Sequence, residues 1–457
     1  MLAWLAAACR GAEPDQRAHV ITIDAKTRFQ TIEAWGAVLS NHGIPLVEWS
    51  QNPTGEEYDR LGVQDPVPDG LASRIMDAAV FDLGLNRFRL EVGPQVELTN
   101  DNDDPRVINF DAFRFDWQDA IIEKWLLPLK KRVESRGEKM ILFVNYDLGR
   151  SGRMAKSLTP QWLLDPDEYA EFALATLSHV KTVHGLEADY WSVLNEPGHD
   201  RRPGDPHRVA LLIRATGRRF IEAGIRTRIS GPEVNKPRQV TGFLEAMRRT
   251  PGSLAHLRQI TYHLYGDPFT VRHRRAALAW ARVLNATTAQ TEWYASKGLE
   301  VAEILHLDLT EANVSSWTQY GLSWTANEIN VQGGGDYFVI EGAYESFSMN
   351  VNTWYLRQFM KYVRPGSVRV GAACAEPTIK PTAFVRPNGS SVVVAINLND
   401  QPQQVAIDGL PPGQYAMSFT RAGDHGRAMP TIECRTDAPL ACYLPAKAVV
   451  TLSQVDN

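Results

Sequence analysis

Cysteine is scarce: four residues among 457, at positions 9, 374, 434 and 442. No two of them form a Cys-x-x-Cys pair, and the eleven histidines show no His-Glu-x-x-His spacing. A metal cage built on those spacings is excluded, and neither a metal nor any other cofactor is expected. Positive charge is also not in excess. The formal net charge is -5, so there is no basic field to hold a polyanion and nucleic-acid binding is not expected. Long apolar runs are missing too: none reaches the roughly 18 to 20 residues that span a bilayer, so no transmembrane segment is expected. What the chain does have is mass for a core, with 44% hydrophobic and 22% charged residues. At this length one large domain and a smaller one are expected.

Near the front, Leu5-Ala6-Ala7-Ala8-Cys9 places small residues before a cysteine, as the end of a bacterial lipoprotein signal does. Residues 1–17 are read as an export-signal remnant or a disordered tail. The protein is accordingly expected to be secreted or lipid-anchored at a bacterial envelope. Cys434 and Cys442 are close enough in sequence to pair in an oxidising compartment, whereas Cys374 has no obvious partner.

From about Ile32 to Arg364, short apolar runs alternate with longer amphipathic stretches. Residues 85–90, 140–144, 190–194, 228–231 and 259–263 read as strands, and 119–136, 167–184 and 206–223 read as helices. This repeated β-α pattern predicts an α/β fold, a (β/α)8 TIM barrel over residues 31–363. After Arg364-Pro365-Gly366 the helical period stops. Alternating runs at 391–397, 404–407 and 447–452, divided by turn residues, predict a C-terminal antiparallel β-sandwich. An early strand at His19–Ile23 is expected to join it, making the sandwich domain residues 18–30 plus 364–457.

Cleavage of a sugar acetal passes through an oxocarbenium-like transition state, which calls for two carboxyl groups, one to protonate the leaving oxygen and one to attack or stabilise the anomeric carbon. Barrel chemistry sits at the carboxyl ends of strands. Glu196, in Trp191-Ser-Val-Leu-Asn-Glu-Pro197, follows one predicted strand directly, with Asn195 as a donor for a sugar hydroxyl. Glu292, in Gln290-Thr-Glu-Trp293, follows another, and Trp293 offers a face for stacking on a sugar ring. Any single glutamate at a strand end is more often a solvated loop residue, so the pair gains weight only from its neighbours.

Those neighbours resemble glycoside hydrolase family 30, in the retaining clan A. Asn195-Glu196-Pro197 resembles the clan's acid/base motif after strand four, and Thr291-Glu292-Trp293 its nucleophile after strand seven. Phe29-Gln-Thr-Ile-Glu-Ala-Trp-Gly36 resembles the family's opening segment, with Ala34-Trp35 where Gly-Phe is usual. Gly84-Leu-Asn-Arg-Phe-Arg89 resembles its second strand, His263-Leu-Tyr265 its sixth, and 354–366 its last barrel helix. The resemblance implies that Arg89 and Tyr265 hold Glu292, that His263 lines the same pocket, and that Trp324, closing a predicted eighth strand at 321–324, floors the sugar site. It also implies double displacement on β-glycosidic bonds of an oligo- or polysaccharide, with carboxyl groups about 5 to 5.5 Å apart. The third-strand end departs from the family, so Asn145 and Asp147 are expected to meet sugar hydroxyls, and the altered opening segment is expected near the sugar face. The rival readings are a clan A glycosidase of another family and a catalytically inactive carbohydrate-binding barrel. No partner beyond carbohydrate is expected.

Overall fold

The alternating runs close into a barrel in the computed structural model, which describes residues 18–39, 67–93, 96–97, 99–147, 165–199, 205–294, 298–325, 335–342 and 344–455. The Leu5–Cys9 segment lies outside the described residues. After β1 (His19–Thr31) come the eight parallel barrel strands: β2 (Ala34–Val38), β3 (Arg87–Val92), β4 (Ile141–Tyr146), β5 (Tyr190–Ser192), β6 (Arg228–Val234), β7 (Leu257–His263), β8 (Thr287–Glu292) and β9 (Val314–Gln319). Pairing of β9 with β2, from Ala34↔Ser316 to Ala37↔Gln319, closes the ring. Helices cover the outside and side chains fill the inside, so nearly every strand residue is buried.

Local chemistry sets the helix ends. The Asp165 carboxylate accepts from the backbone N–H groups of Asp167 and Glu168, Pro166 occupies the first helical position, and the helix Pro166–His184 stops at Gly185 with φ 66°. Asp205 and Pro206 start the helix Pro206–Glu222 in the same way.

The remaining chain forms a second unit, residues up to Phe29 together with Ser367 onward, distinct from Gln30–Gly366. Its nine strands run β18-β17-β20-β15-β14-β13-β1-β16-β19 in one sheet, where β13 is Val368–Cys374, β14 Ile379–Val385, β15 Ser391–Asn397, β16 Gln403–Asp408, β17 Gly413–Arg421, β18 Asp424–Cys434, β19 Leu440–Leu444 and β20 Ala448–Gln454. Side chains from both ends of that order, Tyr415 and Met417 with Ile407 and Leu440, share one core. The sheet therefore folds over itself into two layers. β1 pairs with β16 in parallel, while the pairings from β13 through β14, β15, β20 and β17 to β18, and of β16 with β19, are antiparallel.

Two expectations change. The eighth barrel strand is Val314–Gln319, whereas Ser323–Thr325 is β10 of a separate three-stranded sheet with β11 (Phe338–Glu341) and β12 (Ser346–Met349). The strand was obscured because its inward residues are polar: the Ser316 hydroxyl, for one, accepts from Arg87. Cys434 and Cys442 are unbridged, as is Cys374. They lie on β18 and β19, opposite edges of the sheet order, and pack into the core as small apolar groups. Burial pushes the Cys442 thiol up to about 12, so it stays protonated.

A buried polar knot ties one side of the barrel. Asp308 accepts from Arg274 Nε at 2.6 Å, Tyr262 Oη at 2.8 Å and Trp317 Nε1 at 2.9 Å, with both partners of the ion pair fully buried. Removing the carboxylate strands a buried guanidinium. Asp308→Ala is therefore expected to cost about 3–5 kcal/mol of unfolding free energy in a urea titration, and a loss below about 1 kcal/mol would contradict this account.

Candidate active site

Period two along β3 turns Arg87, Arg89 and Glu91 to the same side, the barrel interior. Arg87 donates to Ser316 Oγ at 2.6 Å and Gln259 Oε1 at 3.1 Å, and lies over the rings of Phe143 and Tyr190. One layer further along, Arg89 is 1% exposed. It lies 2.9 Å from Glu292 Oε2 and 3.6 Å from Glu233 Oε1, and donates to Glu91 Oε1 at 2.9 Å and Asn195 Oδ1 at 3.1 Å. Burial opposes its charge, but Glu292, Glu91 and Glu233 outweigh burial and raise its pKa further.

Around this cation stand the two glutamates singled out from the sequence. Glu292 ends β8, and the Tyr265 hydroxyl donates to its Oε1 at 3.0 Å. Burial raises the Glu292 pKa, His263 and Arg89 pull it down, and the Glu196 carboxylate pushes it up again. Glu196 follows β5 in a left-handed backbone conformation, φ 46°, with its N–H donating to Glu233 O at 3.0 Å. Its Oε1 accepts from Asn235 Nδ2 at 2.6 Å and from His263 Nδ1 at 2.8 Å. One oxygen of each glutamate and a ring nitrogen of His263 lie within 4.8 Å of one another.

His263 is wholly buried and reaches two carboxylates, since its other ring nitrogen lies 3.3 Å from Glu233 Oε1. Burial disfavours the charged ring, yet Glu292, Glu196 and Glu233 together raise its pKa to about 10. At neutral pH it is thus an imidazolium that donates through both nitrogens.

The other predicted residues divide. The Asn195 oxygen serves Arg89, which leaves the amide nitrogen as its donor side. Asn145 is fully buried between Glu91 and Ser192 in strand register, with both its amide atoms unpartnered. Asp147, just past β4, is 7% exposed. Trp324 is half-buried, its indole N–H unpartnered. Trp293 does not offer a face to a sugar. Alternation after Glu292 turns it away from the axis, where it packs edge-on against Trp317 and is 1% exposed. The exposed aromatic is Tyr294, 5.1 Å from the Tyr265 ring and 6.2 Å from that of Tyr320. Trp35 likewise leaves the expected sugar face. It is buried with its indole N–H bonded to Val363 O at 2.6 Å, and Ala34 packs with Ile141, Phe143 and Tyr190.

Glu91, Glu233 and Asn235 were not singled out from the sequence. The available signal was the same rule that found Glu196, an acidic residue at a strand end. It failed at Glu233 because β6 runs on to Val234 instead of ending at Gly231.

The raised His263 pKa links to stability. The folded value of about 10 lies above the ordinary 6.5, so the contribution is whole below about pH 6.5 and is lost as pH rises through about 10. In His263→Asn the fall in unfolding free energy over that window should be shallower than in the wild type. Ring-nitrogen NMR at about pH 8 should show an imidazolium, and a neutral ring there would refute the assignment.

Residues 366–452 match the family model described as glycosyl hydrolase family 30 beta sandwich domain. No curated protein sequence matches the chain. Among solved structures, a family 30 endoxylanase from Clostridium papyrosolvens C71 is 17% identical with a TM-score of 0.66, covering 96% of this chain and 100% of that one. A family 30 xylanase C catalytic domain from Talaromyces cellulolyticus is 16% identical with a TM-score of 0.67, over the same shares. An endo-β1,6-glucanase is 14% identical with a TM-score of 0.66, covering 97% and 96%. Residues 366–452 thus resemble the family 30 β-sandwich domain, and the whole chain shares the fold of these family 30 enzymes.

Proposed function

We propose that the chain is a retaining glycoside hydrolase acting on β-linked oligo- or polysaccharides, with Glu292 as nucleophile and Glu196 as acid/base. One observation carries this reading: the two carboxyl groups approach within 4.8 Å at the ends of the fourth and seventh barrel strands. So close an approach of one oxygen from each group favours direct attack on an anomeric carbon over an inverting arrangement, whose carboxyl groups stand about 6.5–9.5 Å apart to admit a water.

Their partners divide the roles. Glu292 faces the permanent charge of Arg89 and the Tyr265 hydroxyl, both of which favour its ionised, attacking form. Glu196 Oε1 is taken by Asn235 and His263, so the proton it must deliver to the leaving oxygen is carried on Oε2. Attack by Glu292 forms the glycosyl–enzyme ester and removes its charge. Glu196, having given its proton to the leaving oxygen, is then a stable carboxylate held by Asn235 and His263 and ready to take a proton from water. Asn195 and Asn145 supply amide donors and acceptors for sugar hydroxyls, and Tyr294 an aromatic face.

Activity on aryl β-glycosides and on xylan and β-glucan polymers tests the proposal. Glu292→Gly should be inactive and recover turnover with added azide, giving a glycosyl azide of inverted configuration. Glu196→Ala should lose about 10²–10⁴-fold in kcat on substrates with poor leaving groups and much less on activated ones. Full activity in Glu292→Gln would overturn the assignment.

A further inference from the structure

Two imidazoles and a carboxylate converge in the helical layer, apart from the candidate active site. Asp119 belongs to the helix Asp116–Ile121, and His179 and His184 to the last turns of the helix Pro166–His184. Both Nε2 atoms aim at one oxygen, Asp119 Oδ1, from 2.7 and 2.8 Å, and the three donor atoms lie within 4.8 Å of one another. The rings are fixed by their surroundings. Phe115 stacks on His179 with centroids 3.9 Å apart and planes 14° apart, and His179 meets His184 edge-on at 5.8 Å. Side-chain exposure rises from 3% at His184 to 16% at His179 and 28% at Asp119, so solvent reaches the cluster from the carboxylate side.

We propose that Asp119, His179 and His184 form a binding site for a divalent transition-metal ion of the zinc type, completed by water. Ligand atoms at about 2.0–2.1 Å from a tetrahedral zinc stand roughly 3.3 Å apart. Seating an ion therefore needs Asp119 Oδ1 to draw back from each ring nitrogen by roughly half an ångström, a change within reach of small side-chain rotations. The donor set selects the ion: two imidazoles suit zinc, cobalt or nickel, whereas calcium and magnesium prefer all-oxygen cages. Binding also requires lone pairs at both Nε2 atoms. The ion takes the place of the two contacts to Asp119 Oδ1, with any remaining ring proton carried on Nδ1. Bound there, the ion joins two barrel helices whose only sequence link at this point is a carboxylate sixty positions upstream of the first histidine. No spacing motif marks such a set.

The test uses tag-free full-length protein stripped with chelator and titrated with cobalt(II), then zinc. Wild-type protein should bind one equivalent of cobalt with visible absorption of a low-coordinate nitrogen–oxygen site, displaced by zinc. Its Tm should rise by roughly a few degrees at saturating zinc. His184→Gln and Asp119→Asn, each checked for native near-UV circular dichroism, should weaken binding by at least about 10-fold. Glu196, His263 and Glu292 also converge within 4.8 Å, so Glu196→Gln serves as the control and should bind as the wild type does. Absence of saturable binding, unchanged affinity in both His184→Gln and Asp119→Asn, or loss of binding in Glu196→Gln would each overturn the proposal.

Discussion

A permanent cation sealed inside the barrel organises this protein. Arg89 cannot shed its charge, and leaving it unmatched in that interior would cost several kcal/mol. Four groups from four other places in the chain answer it: Glu91 two residues on, Asn195 after β5, Glu233 at the end of β6 and Glu292 at the end of β8. Meeting that demand bends the scaffold. The register of β6 on β7 slips between Pro232 and Val234, and that of β7 on β8 between Tyr262 and His263. Glu196 and Glu233 both take left-handed backbone angles, φ 46° and 56°. Such conformations persist only where the surroundings over-determine them, and here the surroundings are ion pairs.

The second cation, His263, completes the balance. It shares Glu233 with Arg89 and Glu196 with Asn235, so the carboxylates are linked through positive groups and not merely crowded together. Glu233, fully buried, is held below its ordinary pKa: burial works against its charge, and His263, then Arg89, outweigh it. A fixed negative charge of this kind, placed behind the histidine, keeps the ring positive.

How much of this was legible beforehand followed from how the interior is built. Strands that read as apolar runs, such as β4 and β5, stood out, and so did the glutamates that follow β5 and β8. The eighth strand did not, because Ser316 and Thr318 give it the polar look of a loop while neighbouring strands bury them. Trp293 was misplaced because proximity in sequence to Glu292 does not survive the alternation of a strand. Arg89 and Tyr265 were legible through family resemblance, and a buried arginine needs at least one carboxylate in any fold. That it gathers three was a matter of geometry. The thiols show the same limit: eight residues apart in sequence, Cys434 and Cys442 end on opposite edges of a sheet.

The strand β1 carries a consequence for biosynthesis. Its neighbours in the sheet, β13 and β16, begin only at Val368 and Gln403, so the whole barrel sequence is translated before β1 can pair. During that wait it is an unpaired edge, the kind of segment that recruits other chains. Its composition fits the delay. Of its thirteen residues only Ile21 and Ile23 become buried, and Asp24, Lys26 and Arg28 follow them at alternate positions. Charges spaced in this way discourage adventitious strand pairing, leaving two isoleucines to be claimed when the last ninety residues leave the ribosome.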